Sequence, residues 1–159
     1  MTLRSFYLPA QYDDASITIT SGVLAATGGG LTGGAQTADV TNNDSTASLT
    51  YVDLTNVGPT ITMTPGTSGL VLVVMRATVK SNTNADGGLF SLAVDGGTPV
   101  DADSGGIAAC SNSTEQLVCQ ATKLVTGLSV ASHTFKMQYR AVTGGTANFL
   151  NRRMICVPL

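Results

Sequence analysis

The chain has 159 residues, with eight Lys and Arg against ten Asp and Glu, a formal net charge of −2, and 11% charged residues. An ordinary globular domain carries about 25%. The basic residues are scattered from Arg4 to Arg153 and form no stripe that would neutralise a phosphate backbone, so no nucleic-acid partner is expected. The longest strongly apolar run, Leu70 to Met75, is far short of the roughly 20 residues of a membrane span, and no secretion signal is visible at Met1, so a soluble chain is expected with no membrane partner.

Glycine (18), threonine (23) and serine (13) dominate, and Trp is absent. Thr suits a pleated strand and Gly suits turns, so strands are favoured over helices. The low charge leaves a surface of hydroxyls, amides and, by expectation, neighbouring subunits.

Met1 to Thr46 begins with an aromatic patch (Phe6, Tyr7, Tyr12), continues through one plausible strand at Ser16 to Leu24, and reaches Gly28-Gly29-Gly30-Leu31-Thr32-Gly33-Gly34. So many glycines lose too much backbone entropy on ordering to hold a regular element. Residues 1–46 are therefore read as an extended N-terminal arm and 47–159 as one β-sandwich domain. Gly28, Gly30 and Gly33 match the spacing of a dinucleotide fingerprint, but no amphipathic helix follows to present amides to a pyrophosphate, so no such cofactor is expected.

From Ala47 the strand signals become regular: Ser48 to Leu54, Thr60 to Thr64, Gly69 to Lys80, Leu89 to Asp95, Gly106 to Cys110, Gln116 to Thr126, Ser132 to Val142 and Thr146 to Val157. Their separators are turn chemistry, including Gly58-Pro59, Pro65-Gly66, Asp95-Gly96-Gly97 and Gly144-Gly145. Phe135, Met137 and Tyr139 alternate with Lys136, Gln138 and Arg140, the period of a half-buried antiparallel strand. No stretch sustains a helical repeat. The fold class read from this is all-β, an antiparallel two-sheet jelly roll or β-sandwich of about eight strands. Leu70 to Met75 lacks alternation, which suits a strand covered on both faces, one by the core and the other by a neighbouring chain or by the protein's own arm.

Candidate chemistry is sparse. Asp101 and Asp103 precede Gly105, as in a calcium loop, but the third alternate ligand and the distant bidentate Glu are missing, so an Asx-type turn is the expectation and no metal is assigned. His133 is the sole histidine, so any Ser-His-Asp or Cys-His arrangement must use it. Gly127-Leu128-Ser129-Val130-Ala131 fails the nucleophile-elbow pattern at its last position. A glycan hydrolase would need two carboxylates about 5–10 Å apart, and Asp53, Asp95, Asp101, Asp103 and Glu115 qualify by type only. No enzyme activity and no catalytic residue are expected. Reduced thiols are the default for three cysteines, although Cys110 and Cys119 lie on successive strand signals that would allow a bond across a hairpin. Two sequons, at Asn43 and Asn112, carry no meaning without a secretory route.

The segment Ser45 to Leu159 resembles small jelly-roll virion proteins of tailed bacteriophages, similar in plan to the tumour-necrosis-factor-like trimeric jelly roll. The likeness is carried by Ser48 to Leu54, Pro65-Gly66-Thr67-Ser68-Gly69 with Leu70 to Met75, Leu92 to Gly96, Leu124 to Leu128, Ser132 to Arg140 and Leu150 to Arg153. It implies a homotrimer and a capsid decoration, or cement, protein that binds the major capsid protein on the outside of the phage head, made in the host cytoplasm. The alternative is a trimeric tail-fibre or receptor-binding tip. On that reading Phe6, Tyr7, Leu8 and Tyr12 anchor the arm on a neighbour, because aromatics dominate interface energetics; the alternative is that they seal the bottom of the protein's own sandwich.

Overall fold

A computed structural model describes residues 16–20, 23–27, 34–82, 87–99, 107–111 and 115–159, with backbone alone for 16–20, 23–27 and 107–111. Phe6, Tyr7, Leu8, Tyr12 and the Asp101/Asp103 turn lie outside these residues. The elements in chain order are β1 Ser16–Thr20, β2 Val23–Thr27, β3 Gln36–Val40, β4 Asp44–Thr46, β5 Thr60–Met63, β6 Val71–Ser81, β7 Gly87–Val94, β8 Ile107–Ser111, β9 Leu117–Val125, β10 His133–Ala141 and β11 Ala147–Pro158.

β5-β10-β7-β8 form one sheet and β3-β11-β6-β9 the other, with β4 also pairing β11. Every pairing is antiparallel. From β5 to β11 the chain visits the sheets so that no two strands adjacent in a main sheet are consecutive, apart from β7 and β8. This interleaving is that of a jelly roll. β1 and β2 form a separate hairpin with Ser16 opposite Thr27, where the sequence reading had one strand. β3 and β4 lie within the segment read as arm, yet both add to β11, so the sheet takes in residues before 47.

The core lies between the sheets. Val71, Val73, Met75, Ala77 and Val79 of β6 face Phe135, Met137 and Tyr139 of β10 across it, with Phe90, Phe149 and Met154 between. These residues recur at every second position because successive side chains of a strand point to opposite faces. Gly88 sits at the crowded end of this layer, where a Cβ would come 2.7 Å from Phe149 and 2.9 Å from Val79.

The expected strand at Ser48 to Leu54 is irregular instead. It keeps a single bridge, Val52 opposite Tyr139, and lies against β10 through Val52 N to Tyr139 O (2.9 Å) and Ala141 N to Ser48 O (2.7 Å). The Ser48 hydroxyl bonds both the carbonyl (2.7 Å) and the N–H (3.2 Å) of Thr50. Such local side-chain bonds compete with a ladder. Asp95 and Gly96 both have positive φ (51° and 78°), and Gly97 N donates to Val94 O at 2.9 Å, the type I′ geometry that an Asp-Gly pair favours.

Arg152 is fully buried, held by Asp44 (Nη2 to Oδ2, 2.6 Å) and by the carbonyls of Asn56 (3.0 Å) and Gly58 (3.4 Å). Its guanidinium carbon lies 5.3 Å from the centre of the Tyr139 ring, and the Tyr139 hydroxyl donates to Gly58 O at 2.8 Å. The network ties the residues between β4 and β5 to the middle of β11. Among the described residues the Nε of Arg152 has no hydrogen-bond partner.

Candidate interaction face and the His133 cluster

Alternation assigns the other face of the five-stranded sheet residue by residue. Leu72 stands opposite Leu124 and Val157, and Val74 stands opposite Ile155. Leu70 and Leu159 extend the strip, joined by Leu159 N to Leu70 O at 3.1 Å. Leu124 is 49% exposed and Leu159 45%, while Leu72, Val74, Ile155 and Val157 are half-buried. Seven apolar side chains thus adjoin on an outward face. Contiguous apolar surface of this kind marks an interaction site, and it explains the missing alternation in Leu70 to Met75: the odd residues face the core and the even ones face outward.

The same face turns charged halfway along β6. Arg76 lies directly opposite Arg153, and Arg153 opposite Asp39. Arg153 grips Asp39 with its fork, Nε to Oδ1 at 2.5 Å and Nη2 to Oδ2 at 3.1 Å, so that Asp39 is held below the usual carboxylate range. A register shift between Leu150 and Arg153, with Asn151 at φ 49°, bulges β11 here and sends Arg152 inward and Arg153 outward. Asp39, Thr41, Arg76, Asn151, Arg152 and Arg153 line a cleft of about 380 Å³. A second cleft, of about 490 Å³, is lined by Asn43, Lys80, Asn82, Gln116 and Asn148 among others.

On the other sheet the structure brings His133, Ser129 and Asp95 together. His133 Nδ1 lies 2.6 Å from Asp95 Oδ2, and Nε2 lies 3.1 Å from both the hydroxyl and the carbonyl oxygen of Ser129. Asp95 Oδ1 accepts from Thr134 N at 2.8 Å. The distances resemble a hydrolytic triad, with Nε2 as close to the Ser129 carbonyl as to its hydroxyl. A general base needs a free lone pair on Nε2, which the hydroxyl can meet as a donor and the carbonyl, which can only accept, cannot. An imidazolium, donating from both nitrogens, satisfies the carboxylate and the carbonyl together. The carboxylate bond accordingly raises the His133 pKa, and the imidazole bond lowers that of Asp95. The cluster fastens the loop after β9 to the turn after β7.

No family model matches the sequence, and no curated protein matches it. Solved structures do. A chain in the structure of infectious bursal disease virus, Gt strain, superposes over 96% of this chain and 42% of its own length, with TM-score 0.50 and 10% identity. The infectious bursal disease virus VP2 subviral particle matches over 95% and 41%, with TM-score 0.46 and 9% identity. Eiger, a TNF of S. frugiperda, matches over 77% and 93%, with TM-score 0.37 and 9% identity. The first of these shares the jelly-roll fold. This chain spans less than half of either viral chain.

Sequence reasoning took reduced thiols as the default and left a bond between Cys110 and Cys119 open; in the structure Cys119 is disulfide-bonded, while Cys156 is free and buried. The hairpin pictured for Cys110 and Cys119 does not exist, because β8 and β9 are edge strands of different sheets. Burial pushes the Cys156 thiol up to about 12, so it is inert. Sequence reasoning also passed over Arg76. Its even position after Leu72 and Val74 places it on the outward face, but the neighbour at its side depends on a register no local pattern encodes.

Proposed function

We propose that the protein is a virion structural protein, a homotrimer that decorates the outside of a tailed-phage head, contacts the major capsid protein and stabilises the shell. The observation that carries this reading is the apolar half of the five-stranded sheet's outward face, from Leu70 to Val74 on β6 and from Ile155 to Leu159 on β11. A monomer gains nothing from leaving seven adjoining apolar side chains in water, whereas cyclic assembly buries the same patch on each subunit. The low charge of the chain fits the same picture, and the jelly roll is compatible with a place in a particle. Contacts to several shell subunits would add their binding energies, and a ligand of the mature shell alone stabilises it by mass action. The arm residues Phe6, Tyr7, Leu8 and Tyr12 are proposed to anchor on a neighbour in the assembly.

Mixing the purified protein with undecorated heads and pelleting them tests the reading. Saturable co-sedimentation, with decorated heads outlasting bare ones on heating, is the expected result. A protein that ignores heads but binds host cells belongs to a tail tip instead.

A further inference from the structure

Arg76 and Arg153 are paired across adjacent strands on an exposed surface. Like charges directly opposite one another are destabilising. Asp39 answers only one of them: it stands on β3, on the far side of Arg153, and its two oxygens are taken by the Arg153 fork. No side-chain hydrogen bond or ion pair among the described residues involves Arg76, and its neighbour on the other side is the uncharged Gln120. The described charges on this face are Arg76, Lys80 and Arg153 against Asp39, an excess of positive charge in a chain of net charge −2. The β11 bulge opens a cleft beside the pair, with Thr41 and Asn151 as further polar groups. Val74 and Ile155, two residues along each strand, begin the apolar strip.

We propose that this cleft is the receptor for a carboxylate of the shell protein, taken by Arg76 beside the Arg153–Asp39 pair, at the end of the sheet face that the trimer leaves uncovered. The assignment deepens the decoration reading and rests on it. A guanidinium fork suits a carboxylate because it offers two parallel donors. Nucleic-acid phosphate is the weaker fit, since binding it takes several cationic contacts and the surface alongside is apolar.

Wild type, Arg76→Ala and Arg76→Glu are compared for co-sedimentation with undecorated heads at low and high salt, and for mass and thermal midpoint when free. The expected result is several-fold weaker binding for Arg76→Ala and at least about tenfold for Arg76→Glu, with wild-type binding falling as salt rises. The trimer mass should hold, and the free midpoint should stay or rise as the like-charge contact is relieved. A residue with a merely structural role would lower the midpoint. Undiminished binding by Arg76→Glu overturns the cleft and leaves the decoration reading standing. Loss of the trimer in that variant assigns the carboxylate to a second copy and overturns the shell as its source. If wild type binds no heads, the decoration reading fails first, and the cleft is judged by NMR titration with acetyl-Leu-Asp-Leu-amide. Shifts at the Arg76 and Arg153 Nε–H signals then support a carboxylate site, and their absence overturns it.

Discussion

Arg152 and Tyr139 share an acceptor, the Gly58 carbonyl, and both depend on Asp44 to balance the buried guanidinium. Removing one partner of a buried pair leaves an uncompensated charge. Asp44→Asn should therefore destabilise the fold by on the order of 3 kcal/mol, and Tyr139→Phe by roughly 1–2 kcal/mol for its lost hydrogen bond, both read from denaturant midpoints. His133 gives a second prediction, in pH. Its folded pKa is raised above 6.5, so its contribution is full below the unfolded value and lost as pH rises through the folded one. Asp95, lowered from 3.8, contributes above that value and loses its share as pH falls through its folded pKa. The thermal midpoint should thus decline as pH rises past the raised His133 pKa, and His133→Gln should flatten that decline. As the chain has one histidine, its proton NMR signal titrates alone and gives the pKa directly. A pKa below 6.5 would remove the imidazolium bridge.

At the scale of elements, Gly69 shows how a loop dictates its residue. It has φ 63°, and a Cβ there would stand 2.4 Å from the Leu128 carbonyl oxygen, while Leu128 N donates to Gly69 O at 3.1 Å. Gly69→Ala should cost about 2–3 kcal/mol by combining a left-handed φ with that clash, measurable as a drop in midpoint. The seven strands from β5 to β11 were legible because alternation and turn residues act locally: Phe135 to Tyr139 and Asp95-Gly96 announce themselves. β3 and β4 were not, since Gln36 to Val40 and Asp44 to Thr46 are short and polar and become strands only through pairing with β11. Ser48 to Leu54 misled for the opposite reason, its β-prone residues yielding to side-chain bonds at Ser48. The candidate site was half legible. The apolar strip was present in the unalternating Leu70 to Met75, whereas the Arg76–Arg153 pair and the Ser129–His133–Asp95 cluster arise from register and loop placement between segments distant in sequence.

At the scale of the molecule, the sandwich has one filled interior and one outward face that is half apolar and half cationic. The proposed assembly covers the apolar half with neighbouring subunits and directs the cationic half to the shell. Leu72→Glu puts a charge in the centre of the strip without touching the core, since Leu72 faces away from Val71 and Val73, which are fully buried. That variant should stay folded and lose self-association. The most direct measurement is the light-scattering mass of the purified protein at micromolar concentration, wild type beside Leu72→Glu. The account predicts a wild-type mass of three 16.2 kDa chains and a variant mass of one. A wild type that runs as a single chain would contradict it.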